Sequence, residues 1–171
     1  MKINDLIQRF SHSKEDQTKA IFSTLFIAGN RLQTLFDNDI PDISLKQFML
    51  LTMVRQSKEQ LTFTQLGKLL GCSRQNIKKL AYALERKGFV SIRQNEKDVR
   101  AACIYPTEKM IDYFENIFRF YEGRLSYLFE LYTDSEIEVL FTLLMKLYEG
   151  IDNLEKRLSD KKNPIIKETD V

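Results

Sequence analysis

The densest run of chemically useful side chains is Ser73-Arg74-Gln75-Asn76, followed at once by Lys78 and Lys79. A Gln or Asn amide carries a donor and an acceptor side by side, the arrangement that matches a base edge, and Arg can do the same with its planar fork. Lysines and hydroxyls suit phosphate oxygens instead. Gln75, Asn76 and Arg74 are therefore candidates for reading bases, and Ser73, Lys78, Lys79, Lys68 and Thr64 for holding a nucleic-acid backbone. Other chemistries find little support. No nucleophile and base stand at a useful spacing, and no glycine-rich loop is placed to cradle phosphate. His12 is the only histidine, and with Asp16 nearby it makes a poor metal site; no metal and no cofactor is expected. Cys72 and Cys103 match no zinc spacing and form no disulfide framework.

Those residues need a scaffold, and the chain around them supplies one. Thr62 and Gln65 have the spacing of a capping box, in which each side chain satisfies a free backbone donor of a helix start. Leu66, Leu69 and Leu70 then give that short helix an apolar face, and Gly71 ends it. Ser73 opens a second helix, 73–87, with Ile77, Leu80, Ala81 and Leu84 as its buried stripe and Gly88 beyond its end. That stripe turns Gln75, Lys78, Lys79, Tyr82 and Arg86 outward. Beyond Gly88, residues 89–93 and 99–105 read as two strands joined by the polar run 94–98. Arg93, Lys97 and Arg100 are then cations on a hairpin directly behind the helix, while the acid Asp98 is expected to pair with an arginine and set the hairpin's direction. The order of elements over 44–105 is a winged helix-turn-helix, with recognition helix 73–87 and wing 89–105.

At this point the sequence resembles the MarR family of bacterial transcription regulators. The resemblance runs through Leu61-Thr62, Leu66-Gly67, Ser73-Arg74-Gln75-Asn76-Ile77, Leu84-Glu85-Arg86-Lys87-Gly88-Phe89-Val90, Asp98-Val99-Arg100-Ala101 and Thr107-Glu108-Lys109. Pro106 and Met110 depart from the family pattern, behind the proposed DNA-facing parts. The resemblance implies a dimer formed through N- and C-terminal helices, double-stranded DNA as partner, and a small aromatic ligand held between the helical and DNA-binding lobes. Phe22, Phe26, Phe114, Phe118 and Tyr121 are the aromatic candidates to line such a crevice, although their helical spacing also suits plain core packing.

Charge distribution points the same way independently. The formal net charge is only +2, yet residues 44–109 hold 13 Lys and Arg against 5 Asp and Glu, while the rest holds 13 against 19. The basic surplus sits on the lobe proposed to meet DNA. Outside it, long helical patterns run from about Lys14 to Phe36 and from Thr107 to residue 160, the latter broken at Thr133, where Glu136 completes another capping box. Ser44 with Gln47 makes one more, opening a support helix. Residues 1–36 and 107–160 carry more apolar face than a small core needs, which a two-fold dimer would cover; 161–171 reads as a loose tail. No run approaches a membrane span and no secretory pattern opens the chain, so a cytoplasmic protein is expected.

The fold class expected is mainly α (α+β), a winged helix-turn-helix with a helical dimerisation lobe. The function expected is a dimeric, sequence-specific DNA-binding transcriptional regulator, a repressor of palindromic operators modulated by a small ligand or partner, and not an enzyme. Two alternatives remain: a winged-helix protein-interaction module without sequence-specific DNA binding, and a redox-responsive regulator using Cys72. A thiolate there would be favoured by the adjacent helix N-terminus and Arg74, but packing is the commoner role for a turn cysteine.

Overall fold

A computed structural model describes residues 3–39, 42–94 and 101–162. Its elements are α1 (Ile3–Phe10), α2 (Lys14–Asp39), α3 (Leu45–Gln56), α4 (Phe63–Leu69), α5 (Arg74–Arg86), β1 (Val90–Gln94), β2 (Ala102–Pro106), α6 (Glu108–Phe129) and α7 (Asp134–Lys162). Contacts divide the chain into two compact units, Met1–Glu115 and Asn116–Val171, the boundary falling within α6.

The first unit is built on helix starts written locally into the sequence. Ser44 and Thr62 each form a complete capping box, with Gln47 and Gln65 respectively. Ser73 caps α5 by accepting the Asn76 amide. Thr107 does the same for Met110 at the start of α6. Gly71 and Gly88 both take positive φ, 63° and 79°, the left-handed conformation that lets α4 and α5 stop and the chain turn.

The core lies where these helices meet the sheet. Leu50, Leu51 and Val54 of α3, Phe63 and Leu66 of α4, and Ile77, Ala81 and Leu84 of α5 close over Phe89, Val90, Cys103 and Ile104, with Met110 and Phe114 of α6 completing it. Strands β1 and β2 pair antiparallel in register Ile92↔Ile104, and a bridge from Thr62 to Cys103 adds a short third segment on the other side of β2.

Four expectations are corrected. Leu69 faces solvent at 58% exposure; the inner face of this two-turn helix is Phe63, Leu66 and the buried Gly67. The helix read as ending at Phe36 continues to Asp39, and Asp37 accepts the Leu45 amide at the start of α3. The first wing strand begins one residue later than read, at Val90, and the pair ends at Gln94 and Pro106. The final helix runs on to Lys162, into the expected tail. Lys97, Asp98, Arg100 and residues 163–171 lie outside the described residues.

In the second unit, Thr133 and Glu136 cap α7 reciprocally, Glu136 accepting the Thr133 amide at 2.8 Å and Thr133 accepting the Glu136 amide at 3.3 Å. Leu144, Leu147, Ile151, Leu154 and Leu158 of α7 remain 39–56% exposed. In the first unit, α2 has no buried residue at all, with Ile21, Phe22 and Phe26 each more than 60% exposed. Among the described residues no helix is long and apolar enough to cross a membrane.

Candidate nucleic-acid interface

Helix α5 is fixed from behind by its apolar stripe. Ile77, Ala81 and Leu84 are fully buried, so the opposite face must be presented to solvent. Arg74, Gln75, Asn76, Lys78, Lys79, Tyr82 and Arg86 are all exposed on it. The Lys78 ammonium lies 5.7 Å from the Tyr82 ring, a cation–π spacing that lines up the middle of this face. Ser73 spends its hydroxyl on the Asn76 amide at 3.2 Å, so its first role is to start the helix. From α4, Thr64 and Lys68 are exposed.

The turn between the two helices is tight enough to demand a glycine. A Cβ on Gly67 would stand 2.7 Å from the Cys72 carbonyl oxygen, a contact with rigid backbone. The Cys72 amide donates back to the Gly67 carbonyl at 2.9 Å, locking α4 against the entry to α5. Cys72 is half-buried in that turn, and Cys103 is fully buried under the sheet.

Some exposed cations of the basic lobe are held by backbone carbonyls. Lys87 donates from the end of α5 to the Asp42 carbonyl and, at 3.3 Å, to Gln47 Oε1. Gln47 is itself buried and uses the same oxygen to accept the Ser44 amide at 3.1 Å. Lys109 donates to the Lys87 carbonyl at 2.8 Å and lies 4.7 Å from the Phe89 ring. The Thr107 hydroxyl lies 2.8 Å from the Gly88 and Phe89 carbonyls. Backbone amides of Lys87, Gly88 and Phe89 take the last carbonyls of α5, and the Lys109 ammonium and Thr107 hydroxyl take the carbonyls just beyond, a cation there suiting the negative end of a helix dipole. Arg55 rests over the Phe114 ring at 4.8 Å.

On the wing, Arg93 is exposed and its guanidinium lies 5.2 Å from the ring of Tyr105, diagonally across the strand pair. Sequence reading missed Glu85. Its carboxylate accepts the Ile92 amide at 2.7 Å, joining α5 to β1 directly. The available signal was modest: an acid one position from the end of a helix whose exposed face is otherwise cationic.

The aromatic candidates for a ligand crevice are distributed differently from one another. Phe22 and Phe26 stack edge to face on exposed α2, with centroids 5.0 Å apart. Phe114 is buried in the first unit beside Phe48 and Tyr113, and Tyr121 is buried in the second. The side chain of Phe118 is outside the described residues. A groove of about 310 Å³ does open in the first unit, beside the C-terminal end of α3, lined by Val54, Leu61, Ile104, Pro106, Met110 and Ile111, with Arg55 and Lys58 among its polar lining residues.

Comparison with known proteins agrees with this architecture. Residues 43–102 match the model of the MarR family. The transcriptional repressor MprA of Escherichia coli is 25% identical over 107 residues, which cover 63% of this chain and 61% of that repressor's own length. Among solved structures, the MarR protein of Peptoclostridium difficile shares the fold at TM-score 0.72 and 21% identity, over 81% of this chain and 91% of that one. The Staphylococcus aureus MepR–DNA complex does so at TM-score 0.67 and 21% identity, over 75% and 97%. The match runs from the start of the support helix through the recognition helix to the second wing strand, and over that stretch this chain is similar to the MarR family.

Proposed function

We propose that the protein is a transcriptional regulator that binds double-stranded DNA as a homodimer and represses from palindromic operators, with a small ligand or partner modulating its affinity. The observation that carries this is the exposed face of α5: a base-reading amide, a fork-shaped cation and two lysines, held outward by a fully buried stripe. Gln75, Asn76 and Arg74 are the base readers; Lys78, Lys79, Lys68 and Thr64 hold phosphates. Arg93, with Lys97 and Arg100 beyond it in sequence, engages the flanking backbone or minor groove from the wing. The similar proteins, a transcriptional repressor and a regulator solved in complex with DNA, support the same reading.

A dimer follows from the unburied apolar surface. Leu140, Leu144, Leu147, Ile151, Leu154 and Leu158 alternate steps of four and three along α7, the spacing of a seam between helices, and most of it is exposed in the single chain. Two recognition helices then address two half-sites about one helical turn apart. A ligand that binds the two helix spacings unequally changes DNA affinity by linkage. Selection of bound fragments from a random pool tests the proposal. A palindromic consensus bound by two chains is the expected result; a pool with no consensus and only salt-sensitive binding would overturn it.

A further inference from the structure

We propose that Glu85 is the positioning residue that holds the wing at a fixed distance from the recognition helix, and that Arg93 reaches DNA only because Glu85 does so. The inference rests on the DNA-binding reading above and adds a residue to it. In the register Ile92↔Ile104 the Ile104 amide points away from β1, donating to the Leu61 carbonyl at 3.4 Å. In such an antiparallel pair both amides point outward, so the Ile92 amide lies on the edge of β1 that β2 does not cover. Glu85 Oε1 accepts it at 2.7 Å. Both residues are half-buried, where an unsatisfied amide is costly and a hydrogen bond to a charged acceptor is stronger than a neutral one.

One residue beyond that anchored amide is Arg93, exposed and braced on Tyr105 at 5.2 Å. Besides their shared apolar core, the helix carrying Gln75 and the strand carrying Arg93 are therefore tied directly by the Glu85 carboxylate. Ordinary electrostatics gives the opposite expectation for this acid: a carboxylate on a DNA-facing lobe repels phosphate, so removing its charge should tighten binding. The two accounts differ in sign.

The test uses the full chain and its selected fragment, with Glu85→Ala, Glu85→Gln, Arg93→Ala and the Glu85→Ala/Arg93→Ala double variant. Gln keeps an acceptor oxygen without the charge. The Ala variant is expected to bind roughly tenfold more weakly and to lose about one phosphate contact per chain from its salt dependence, as Arg93→Ala does, and the double variant should be little worse than either single one. Glu85→Gln should bind within about threefold of the unaltered protein. Tighter binding by both Glu85 variants, or losses that multiply in the double variant, would overturn the proposal.

Exchange of the Ile92 amide decides the anchor without DNA. It should quicken roughly tenfold or more in Glu85→Ala and stay near the original rate in Glu85→Gln. Unchanged exchange in the Ala variant would overturn the proposal. Should the unaltered protein select no fragment, the regulator reading fails, and the Ile92 exchange still shows whether Glu85 holds the strand.

Discussion

Gly67 and Glu136 show how single residues set local geometry. At Gly67 an added Cβ would meet the Cys72 carbonyl at 2.7 Å, and neither backbone segment can retreat without moving α4 against α5. Gly67→Ala is therefore expected to lower stability by about 1–3 kcal/mol, as overpacking does, and to weaken DNA binding with it. Urea unfolding followed by circular dichroism measures the first effect; an unfolding midpoint equal to that of the original protein would contradict the close approach. Glu136 lies in the cap of α7, where the Thr133 backbone amide, then its hydroxyl, hold the carboxyl below its ordinary pKa of 4.5. A carboxyl whose folded pKa is depressed contributes stability above its unfolded pKa and loses it as the pH falls through the folded one. Helix α7 should accordingly weaken in acid, below the ordinary carboxylate range. Glu136→Gln keeps an acceptor oxygen in the cap and should reduce that acid loss, read as a smaller drop in thermal midpoint between pH 6 and a pH well below the ordinary carboxyl value of 4.5.

At the scale of elements, the recognition helix is held at three places: its stripe, its cap at Ser73 and the cluster at its C-terminal end. Lys87→Met should cost about 1 kcal/mol, because it removes charged donors from the Asp42 carbonyl and Gln47. It should leave the salt dependence of DNA binding unchanged, whereas Lys78→Ala should lower that dependence by about one contact per chain. A salt-series titration of both variants checks the distinction. The helix starts at Ser44, Thr62, Ser73 and Thr133 were legible in the sequence because a cap involves residues within one turn of each other. The outward face of α5 was legible too, since one buried stripe dictates it. Cations held by backbone carbonyls, such as Lys87 and Lys109, were not, because a lysine that caps a carbonyl and one that meets phosphate look the same in sequence. Glu85 escaped for a related reason: its partner is a backbone amide, exposed only by the register of a hairpin. Leu69 misled because two helical turns are too few to fix which apolar residues face inward, and the docking of α4 at Gly67 decides it.

For the whole molecule, charge and apolar surface are segregated by region. The basic surplus belongs to residues 44–109, and the exposed leucine seam belongs to α7. A negative charge in that seam should oppose dimer formation while leaving the winged helix intact. Leu154→Glu is expected to sediment as a monomer at low micromolar concentration and to bind an operator far more weakly than the original protein, since it engages one half-site at a time. A dimer of unchanged stability would place the interface elsewhere. The central claim is that the α5 face reads sequence, and the most direct measurement of it is the base preference of Gln75→Ala. The variant should be titrated against the selected palindrome and against each single substitution within one half-site. Loss of discrimination at one base position in each half-site, worth about 1–3 kcal/mol, with preferences elsewhere retained, is the expected result. An unchanged preference at every position would contradict the claim that this face reads the bases.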